Sequence, residues 1–420
     1  MMRKKLIFWE NAVETLGYFS NEMAEYFMEK GYECFFVNHK QAERSMEKLA
    51  TWVEPGNTAL VTFNFIGLSG EDFCQRQGES IWEQWKVECY CILVDHPFYY
   101  YKQLHGVKEK LTVFCVDRQH VSYVHRFYPK RPCYLLPLAG NRQKPSAEGI
   151  TEWIPYEKRS YDISLIANFV PLEDLEIHLL GQSEEYVEFY REIISDLKEN
   201  PSQAVDEVLE RYIRREIPDA KETDICSAEA GMIAVDLYIR SLYRTAVIRA
   251  LTDAGLRVHV FGRGWSKCRV PRKENLISNG KMLTSAQCVG VIRDSRIALN
   301  VMPWFKDGAH DRIFTAMLNG AVSLTDDSRY LREILTDGRD VCFYELPECR
   351  EPVFSRQEPR EPESTESAGV CDVAEKAKCL LENPGKAKEI IQYAYETADS
   401  LHTWKMRAKQ LERFLEDSAN

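Results

Sequence analysis

The chain has no uninterrupted run of 18 apolar residues, so its sequence offers no candidate for a membrane-spanning helix. A secretory signal is also missing, because the apolar segment Leu6–Trp9 is cut short by Glu10. Sustained basic runs are absent, and the formal net charge of the 420 residues is −11. A surface that neutralises nucleic-acid phosphates needs clustered lysine and arginine, so this charge argues against a nucleic-acid partner.

Metal and dinucleotide patterns are absent as well. No Asp-x-Asp pair occurs, and no His or Cys residues have the spacing of a zinc site. The 13 cysteines are scattered along the chain, and Cys89-x-Cys91 lies in an apolar strand, where core packing is expected. Gly262-x-Gly264 lacks the third glycine of a dinucleotide fingerprint. The sequence therefore predicts no metal and no bound cofactor, and it predicts free thiols in the reducing cytoplasm.

What is present indicates a two-domain α/β protein. The hydrophobic content is 45% and the aromatic content 11%, as in globular proteins, and the length suits two cores. Short apolar segments alternate with helical segments, and each apolar segment gives way to polar residues at its carboxyl end, as in a doubly wound parallel sheet. The predicted strands are residues 5–9, 33–38, 59–63, 89–94, 111–116, 133–136, 161–167, 256–261, 297–301 and 321–325.

The N-terminal domain is predicted to span residues 1–150, with a polar linker around 142–156, and the C-terminal domain residues 151–395. A helical insertion interrupts the second domain at about 172–251. The segment at about 350–368 is rich in Glu, Pro and Ser and has little to bury, which is typical of a mobile surface loop. Further helices are predicted at 20–30, 373–382 and 387–414.

The segment from Asn300 to Asp327 carries the most informative pattern. A strand leads into a polar loop, Asp311 is the predicted N-cap of a helix, and Gly320 suits the left-handed position after it. An inward apolar stripe leaves a polar face formed by Arg312, Thr315 and Asn319. A helix N-terminus with His310 and Arg312 at a strand end suits a diphosphate, although an ordinary βαβ unit with a solvated loop is the alternative.

His310-Asp311-Arg312, Ala316-Met317 and Gly320 resemble the C-terminal donor-binding motif of group 1 glycosyltransferases, in their spore-maturation branch. The resemblance covers most of the chain, including TFNF, VDHPFYY and YDISLIANF. It implies an α/β GT-B fold, with two doubly wound Rossmann-like domains facing a cleft that closes before transfer. It also implies that a C-terminal helix within 396–420 crosses back to the N-terminal domain.

The resemblance implies a donor site made of two segments. In the family a V-x-G-x-G-W element lines this site, with Arg263 as a second cation and Trp265 as either a packing residue or a pocket wall. Arg312 would bind the diphosphate, unless it is a surface arginine paired with a nearby carboxylate. Asp307 and Thr315 stand where many members carry two glutamates, the second of which grips the ribose. The donor-binding candidates are Gly262, Arg263, Gly264, Trp265, Asp307, His310, Asp311, Arg312, Thr315 and Asn319.

Candidates on the acceptor side follow the N-terminal strands. Pro97 ends a strand after Asp95 and His96, and either side chain could take a proton from an acceptor during inverting transfer. The alternative is that Asp95 caps a turn and the aromatic residues beyond it pack in the core. The acceptor-binding candidates are Glu10, Asn11, Asn64 and Tyr99, the last as a platform for a sugar ring.

The predicted function is metal-independent transfer of a sugar from a nucleotide sugar to a glycan, protein or small molecule in the cytoplasm. Two alternatives remain at this stage. One is a non-catalytic nucleotide-sugar-binding or scaffold protein that keeps the fold, which Thr315 in place of a carboxylate favours. The other is an epimerase or phosphorylase on the same fold.

Overall fold

The computed structural model describes residues 5–76, 78–107, 109–144, 153–278, 280–302, 304–349 and 371–417. The chain divides into two compact units. Unit 1 contains the residues up to Asn141 together with those from Leu401 onward, and unit 2 is Arg142–Ser400. The segment at about 350–368, expected to be a mobile loop, lies outside the described residues. In the described part of the chain, no helix is long and apolar enough to cross a bilayer.

The strands, in chain order, are β1 Lys5–Glu10, β2 Glu33–Asn38, β3 Thr58–Phe63, β4 Gln75–Arg76, β5 Glu79–Ser80, β6 Glu88–Leu93, β7 Leu111–Cys115, β8 Cys133–Leu135, β9 Tyr161–Ile166, β10 Val258–Phe261, β11 Leu276–Ser278, β12 Ser295–Asn300, β13 Val322–Thr325 and β14 Cys342–Phe343.

The helices are α1 Glu14–Glu29, α2 Ala42–Trp52, α3 Ile81–Gln84, α4 Tyr101–Gly106, α5 Arg118–Phe127, α6 Leu172–Leu175, α7 Glu184–Glu199, α8 Val205–Glu216, α9 Glu222–Gly231, α10 Ile233–Asp253, α11 Ser285–Arg293, α12 Asp311–Leu318, α13 Arg329–Ile334, α14 Asp372–Glu382, α15 Pro384–Leu401 and α16 Trp404–Asp417.

Unit 1 is built on a parallel sheet with the strand order β2-β1-β3-β6-β7-β8. Because β2 and β3 lie on opposite sides of β1, the winding direction reverses between β1 and β3. The carboxyl ends of these two strands are where a doubly wound sheet opens a crevice for a ligand. The strand β1 is apolar on both faces, and its Leu6, Ile7 and Phe8 have no exposed surface, as expected for a sheet covered on both sides.

The C-terminal helix α16 is part of unit 1 and packs against α1. The rings of Phe19 and Trp404 lie 4.5 Å apart, and the Tyr26 hydroxyl donates to a Glu412 carboxylate oxygen at 2.6 Å. Lys405 pairs with Glu29 at the same surface. Residues nearly 400 positions apart in the sequence therefore share one core.

Unit 2 is built on a second parallel sheet with the order β11-β10-β9-β12-β13-β14. Counted within the unit, this is the strand order 3-2-1-4-5-6 of dinucleotide-binding folds, and the winding direction reverses between β9 and β12. The segment predicted as a helical insertion, at about 172–251, contains the helices α6 to α10. The longest of them, α10, leads back into β10.

All ten predicted strands are confirmed, with ends shifted by at most two residues. The strands β11 and β14 and the hairpin β4–β5 were not predicted, because segments of two or three residues carry little periodic apolar signal; of the strands this short, only β8 was predicted. The helix predicted at 387–414 is instead two helices, α15 and α16, which are separated at His402 and Thr403.

Candidate functional site

The glycines after β10 allow two loops to touch. Gly262 and Gly264 have φ of +137° and +88°. A Cβ on Gly262 would lie 2.2 Å from the Ala167 carbonyl oxygen, and a Cβ on Gly264 would lie 1.9 Å from the Phe169 carbonyl oxygen. Backbone hydrogen bonds tie the loops together, since the Phe169 N–H donates to the Arg263 carbonyl at 2.9 Å. Only glycine fits this close approach, so these residues fix the shape of the chain leaving β9.

Trp265 is a packing residue. Its side chain is buried, its indole N–H donates to the Ala167 carbonyl at 2.6 Å, and its ring stacks on Phe169 with centroids 5.1 Å apart. Of the two roles left open by the sequence, the structure supports core packing. Arg263 is exposed, and its backbone N–H donates to the Asn168 side-chain oxygen at 2.9 Å.

Helix α12 begins at Asp311, with His310 in the N-cap position, so the prediction of Asp311 as the N-cap was wrong. His310 has an extended backbone, and its Nδ1 lies 3.3 Å from the Arg312 backbone nitrogen. The same Nδ1 lies only 2.6 Å from Asp311 Oδ1, and Nε2 lies 2.7 Å from Arg312 Nη2. These two short contacts favour the His310 tautomer with its proton on Nδ1. In this form Nδ1 donates a hydrogen bond to Asp311, and Nε2 accepts one from Arg312.

Burial explains the charge state of this group. Burial and the neighbouring Arg312 guanidinium lower the pKa of His310, which agrees with a neutral ring that accepts a hydrogen bond. Burial also lowers the pKa of Arg312. The Arg312 Nη1 donates to the carbonyl of Ile166, the last residue of β9, at 2.7 Å. The guanidinium is thereby held at the point where the winding of the unit 2 sheet reverses.

Thr315 and Asn319 are buried, so the prediction of a polar outer face shared with Arg312 was wrong. The Thr315 hydroxyl donates to the Asp311 carbonyl at 2.9 Å, and the Asn319 side chain bonds the Thr315 carbonyl and the Gln143 backbone N–H. Helix α12 packs against α11 and the sheet, and the linker covers its end, so its polar face is enclosed. Asp307 is half-buried in the loop before the helix.

Two arginines on α10 lie near Arg312 and were not among the predicted site residues. The guanidinium carbon of Arg240 lies 4.3 Å from the Trp304 ring centroid, and that of Arg244 lies 5.2 Å from it. Arg244 Nη1 donates to the Asn168 carbonyl at 3.0 Å, and Arg240 pairs with Asp236 at 2.8 Å. The sequence does carry one indication of this pair. Arg240 and Arg244 are four residues apart in a mostly apolar helix, which places both cations on one face.

The electrostatic environment of Arg244 agrees with this proximity. Burial, together with the charges of Arg312 and Arg240 and against the opposing effect of Asp236, lowers the pKa of Arg244 to about 9. Arg312 and Arg244 therefore both contact the chain at the carboxyl end of β9, and Arg240 lies beside Arg244 at the Trp304 ring. Such an arrangement attracts an anion with several charged oxygens.

In unit 1, the strained backbone marks the point where the sheet reverses. Asn11, Asn64 and Phe65 have φ of +61°, +49° and +58°, and they follow β1 and β3 directly. Left-handed backbone at non-glycine residues is costly and is often retained at functional sites. Asn64 accepts from the Val94 N–H at 3.0 Å and donates to Asp95 Oδ2 at 3.4 Å, and the Tyr100 hydroxyl donates to the same oxygen at 3.4 Å.

His96 does not share this position at the strand end. Its ring is 8% exposed, accepts the Phe98 N–H at Nδ1 and lies 4.5 Å from the His120 ring and 4.8 Å from the Tyr123 ring. This burial favours Asp95 over His96 as the base, because Pro97 starts a short 3₁₀ turn that His96 caps from within the core.

The remaining acceptor candidates lie at the surface of unit 1. Tyr99 is half-buried and stacks on Phe98 with centroids 5.1 Å apart, while Glu10 is half-buried and Asn11 is exposed at the end of β1. Among the described residues, no three His, Cys, Asp or Glu side chains come together as metal ligands would.

The sequence and the architecture are both similar to those of known proteins. Residues 240–413 match the family model of glycosyl transferase-like proteins. A sequence comparison with curated proteins gives no match. The structure resembles a glycosyltransferase from Rickettsia africae ESF-5, with a TM-score of 0.50, 10% identity and coverage of 99% of this chain and 98% of that one.

Two further solved structures are similar. A sucrose-phosphate synthase from Thermosynechococcus elongatus has a TM-score of 0.53 at 9% identity, with 99% of each chain covered. An alpha-glucosyltransferase in complex with UDP and a 13-mer DNA has a TM-score of 0.53 at 10% identity, covering 99% of this chain and all of the other. The GT-B fold and the glycosyltransferase class predicted from the sequence are thereby confirmed.

Proposed function

We propose that this glycosyltransferase moves a sugar from a nucleoside diphosphate donor to a hydroxyl group of a glycan, protein or small molecule. The observation that carries the proposal is the position of Arg312. Its guanidinium lies at the N-terminus of α12 and donates a hydrogen bond to the Ile166 carbonyl at the end of β9. Within the described residues it makes no salt bridge. The motif around it supports membership of the spore-maturation branch of group 1.

In the proposed donor complex, Arg312 contacts the diphosphate. A fixed guanidinium beside a helix N-terminus can stabilise the charge that develops as the nucleoside diphosphate leaves. The neutral His310, oriented by Asp311, accepts a hydrogen bond from Arg312 and so keeps the guanidinium aimed. We propose that these groups neutralise the leaving group without a metal ion.

Unit 1 would supply the acceptor side. Asp95 is half-buried beside the strained ends of β1 and β3, and the Asn64 amide and the Tyr100 hydroxyl hold one of its carboxylate oxygens. A carboxylate fixed in this way can accept the proton of an acceptor hydroxyl, which corresponds to inverting transfer. The negative net charge supports an acceptor other than nucleic acid, and we place the reaction in the cytoplasm.

The test combines a donor screen with one substitution. Wild-type protein is incubated with a panel of nucleotide sugars, with and without EDTA, and the release of nucleoside diphosphate is measured. Arg312→Ala should lower turnover about 100- to 1,000-fold, the cost typical of removing one charge-stabilising donor. EDTA should leave wild-type turnover unchanged.

Arg332→Ala is the matched control, because Arg332 is an exposed arginine of the same unit that pairs with Asp327. It should behave as wild type. Unchanged turnover in a folded Arg312→Ala variant would contradict the donor assignment. Binding of a nucleotide sugar without any transfer of the sugar, even to water, would favour the non-catalytic alternative.

A further inference from the structure

The helix α10 contributes a further cation, Arg244, to this part of unit 2. Arg244 makes no salt bridge in the described part of the chain, and its Nε is buried without a hydrogen-bond partner. The adjacent Arg240 differs, because its charge is compensated by Asp236, which is 2% exposed. A buried donor without a partner costs stability unless a ligand satisfies it.

Trp304 holds the two arginines together. Both guanidinium groups lie within cation–π distance of its indole ring, and the ring edge faces His310 with centroids 6.4 Å apart. This arrangement brings Arg244 toward Arg312 although like charges repel. Two positive charges this close repel each other. An anion bound between them would replace this repulsion by two favourable charge interactions.

The anchoring points of the two cations indicate the size of the anion. Arg312 is bonded to the Ile166 carbonyl and Arg244 to the Asn168 carbonyl. Carbonyls two residues apart are separated by at most about 7 Å of extended chain. With hydrogen bonds of 2.7 Å and 3.0 Å to these carbonyls, the two guanidinium groups lie close enough for one ligand with two phosphoryl groups to reach both.

We propose that Arg244 and Arg312 together bind the diphosphate of the donor, with one phosphoryl group on each, and that Asp236, Arg240 and Trp304 position Arg244. The assignment agrees with the nucleoside diphosphate donor of the proposed function and adds Arg244 to the residues that bind it. This inference rests on the proposed function, because it assigns a second ligand group to the same donor site.

The first experiment measures binding of UDP, GDP and ADP and of the corresponding monophosphates by calorimetry. Wild type should prefer one of the diphosphates over its monophosphate. Arg244→Ala should weaken diphosphate binding about 10- to 100-fold, the cost of one charge-assisted hydrogen-bonding group, and should weaken monophosphate binding less. Arg244→Lys should restore only part of the loss, because an ammonium group cannot bind in the bidentate manner.

Arg249→Ala is the control, since Arg249 lies on the same helix and pairs with Asp253. It should leave both affinities unchanged. Trp304→Leu should reduce the preference for diphosphate although Trp304 need not touch the ligand.

A second measurement separates ligand binding from a structural role. Arg244→Met should raise the melting temperature of the empty protein, because it removes a buried charge beside Arg312, and should reduce the shift caused by diphosphate. A purely structural arginine would give a lower melting temperature and an unchanged shift, and that result would overturn the inference.

The two proposals can fail separately. Wild-type protein that binds none of the six nucleotides would overturn both. Wild-type protein that binds diphosphates, with Arg244→Ala binding them equally well, would overturn only the role of Arg244. A wild type that favours monophosphates would overturn the donor class.

Discussion

Asp95 and His96 are adjacent in the sequence, yet the structure gives them different environments. The strand end could be predicted from the apolar run and from Pro97, and Asn64 and Asp95 come together as neighbouring strand ends should. Which of the two side chains turns into the core depends on packing against α5, a contact distant in sequence. Arg244 was missed for the same reason, since its partners Asn168 and Trp304 are remote along the chain.

The proposed role of Asp95 gives a prediction at the scale of a single residue. Asp95→Asn keeps the size of the side chain but removes its ability to take a proton. Turnover with acceptor should fall about 100- to 10,000-fold, the usual contribution of a general base, while donor binding should be unchanged. Single-turnover kinetics and donor calorimetry measure the two effects.

Asp72→Asn serves as the control because Asp72 is exposed in a neighbouring loop of unit 1. It should have wild-type kinetics. If Asp95→Asn transferred sugar at the wild-type rate, Asp95 would not be the base.

At the scale of elements, apolar periodicity was sufficient to predict ten of the twelve strands in the two parallel sheets and the helical character of the segment at about 172–251. It was not sufficient for the surroundings of α12. The polar residues of this helix do share one face, as predicted. That face is not open to solvent, because the linker residue Gln143 and helix α11 enclose it. The roles of Thr315 and Asn319 within the fold therefore depend on tertiary contacts that a helical pattern does not contain.

The loop after β10 gives an element-scale prediction. Gly264→Ala should lower the free energy of unfolding by about 3 kcal/mol, since it combines left-handed backbone with a methyl group overlapping the Phe169 carbonyl. Gly290→Ala is the contrasting control: Gly290 lies within α11 and a Cβ there would meet nothing within 4 Å. It should raise stability by about 0.5–1 kcal/mol.

Urea unfolding of the two variants measures the difference. A Gly264→Ala variant as stable as the Gly290→Ala variant would show that the two loops do not touch as described.

At the scale of the whole molecule, buried histidines should set the response to acid. The pKa values of His259, His310 and His402 are all lowered, in each case mainly by burial, and that of His402 falls to about 3. In the unfolded chain a histidine takes up a proton near pH 6.5. Between pH 6.5 and pH 3, protonation therefore favours the unfolded chain, and stability falls as the pH falls.

The substitution His402→Gln tests this response. The loss of stability per pH unit below 6.5 should be smaller than in wild type by up to about 1.4 kcal/mol, because one titrating group is removed. Gln can still accept the hydrogen bond that Arg407 donates to His402 Nδ1. Urea midpoints at pH 7, 6 and 5 measure the slopes, and an unaltered slope would contradict the prediction. His105→Gln, at an exposed histidine, is the control.

The position of α16 has a consequence for the order in which the protein is completed during synthesis. Its Phe414 packs on Phe114 and Tyr134, and its Trp404 donates to the side-chain oxygen of Asn141. A ribosome releases the strands of unit 1 before unit 2, but it releases α16, which covers them, only after unit 2 has emerged. Unit 1 can therefore complete its core only after the whole of unit 2 has been synthesised.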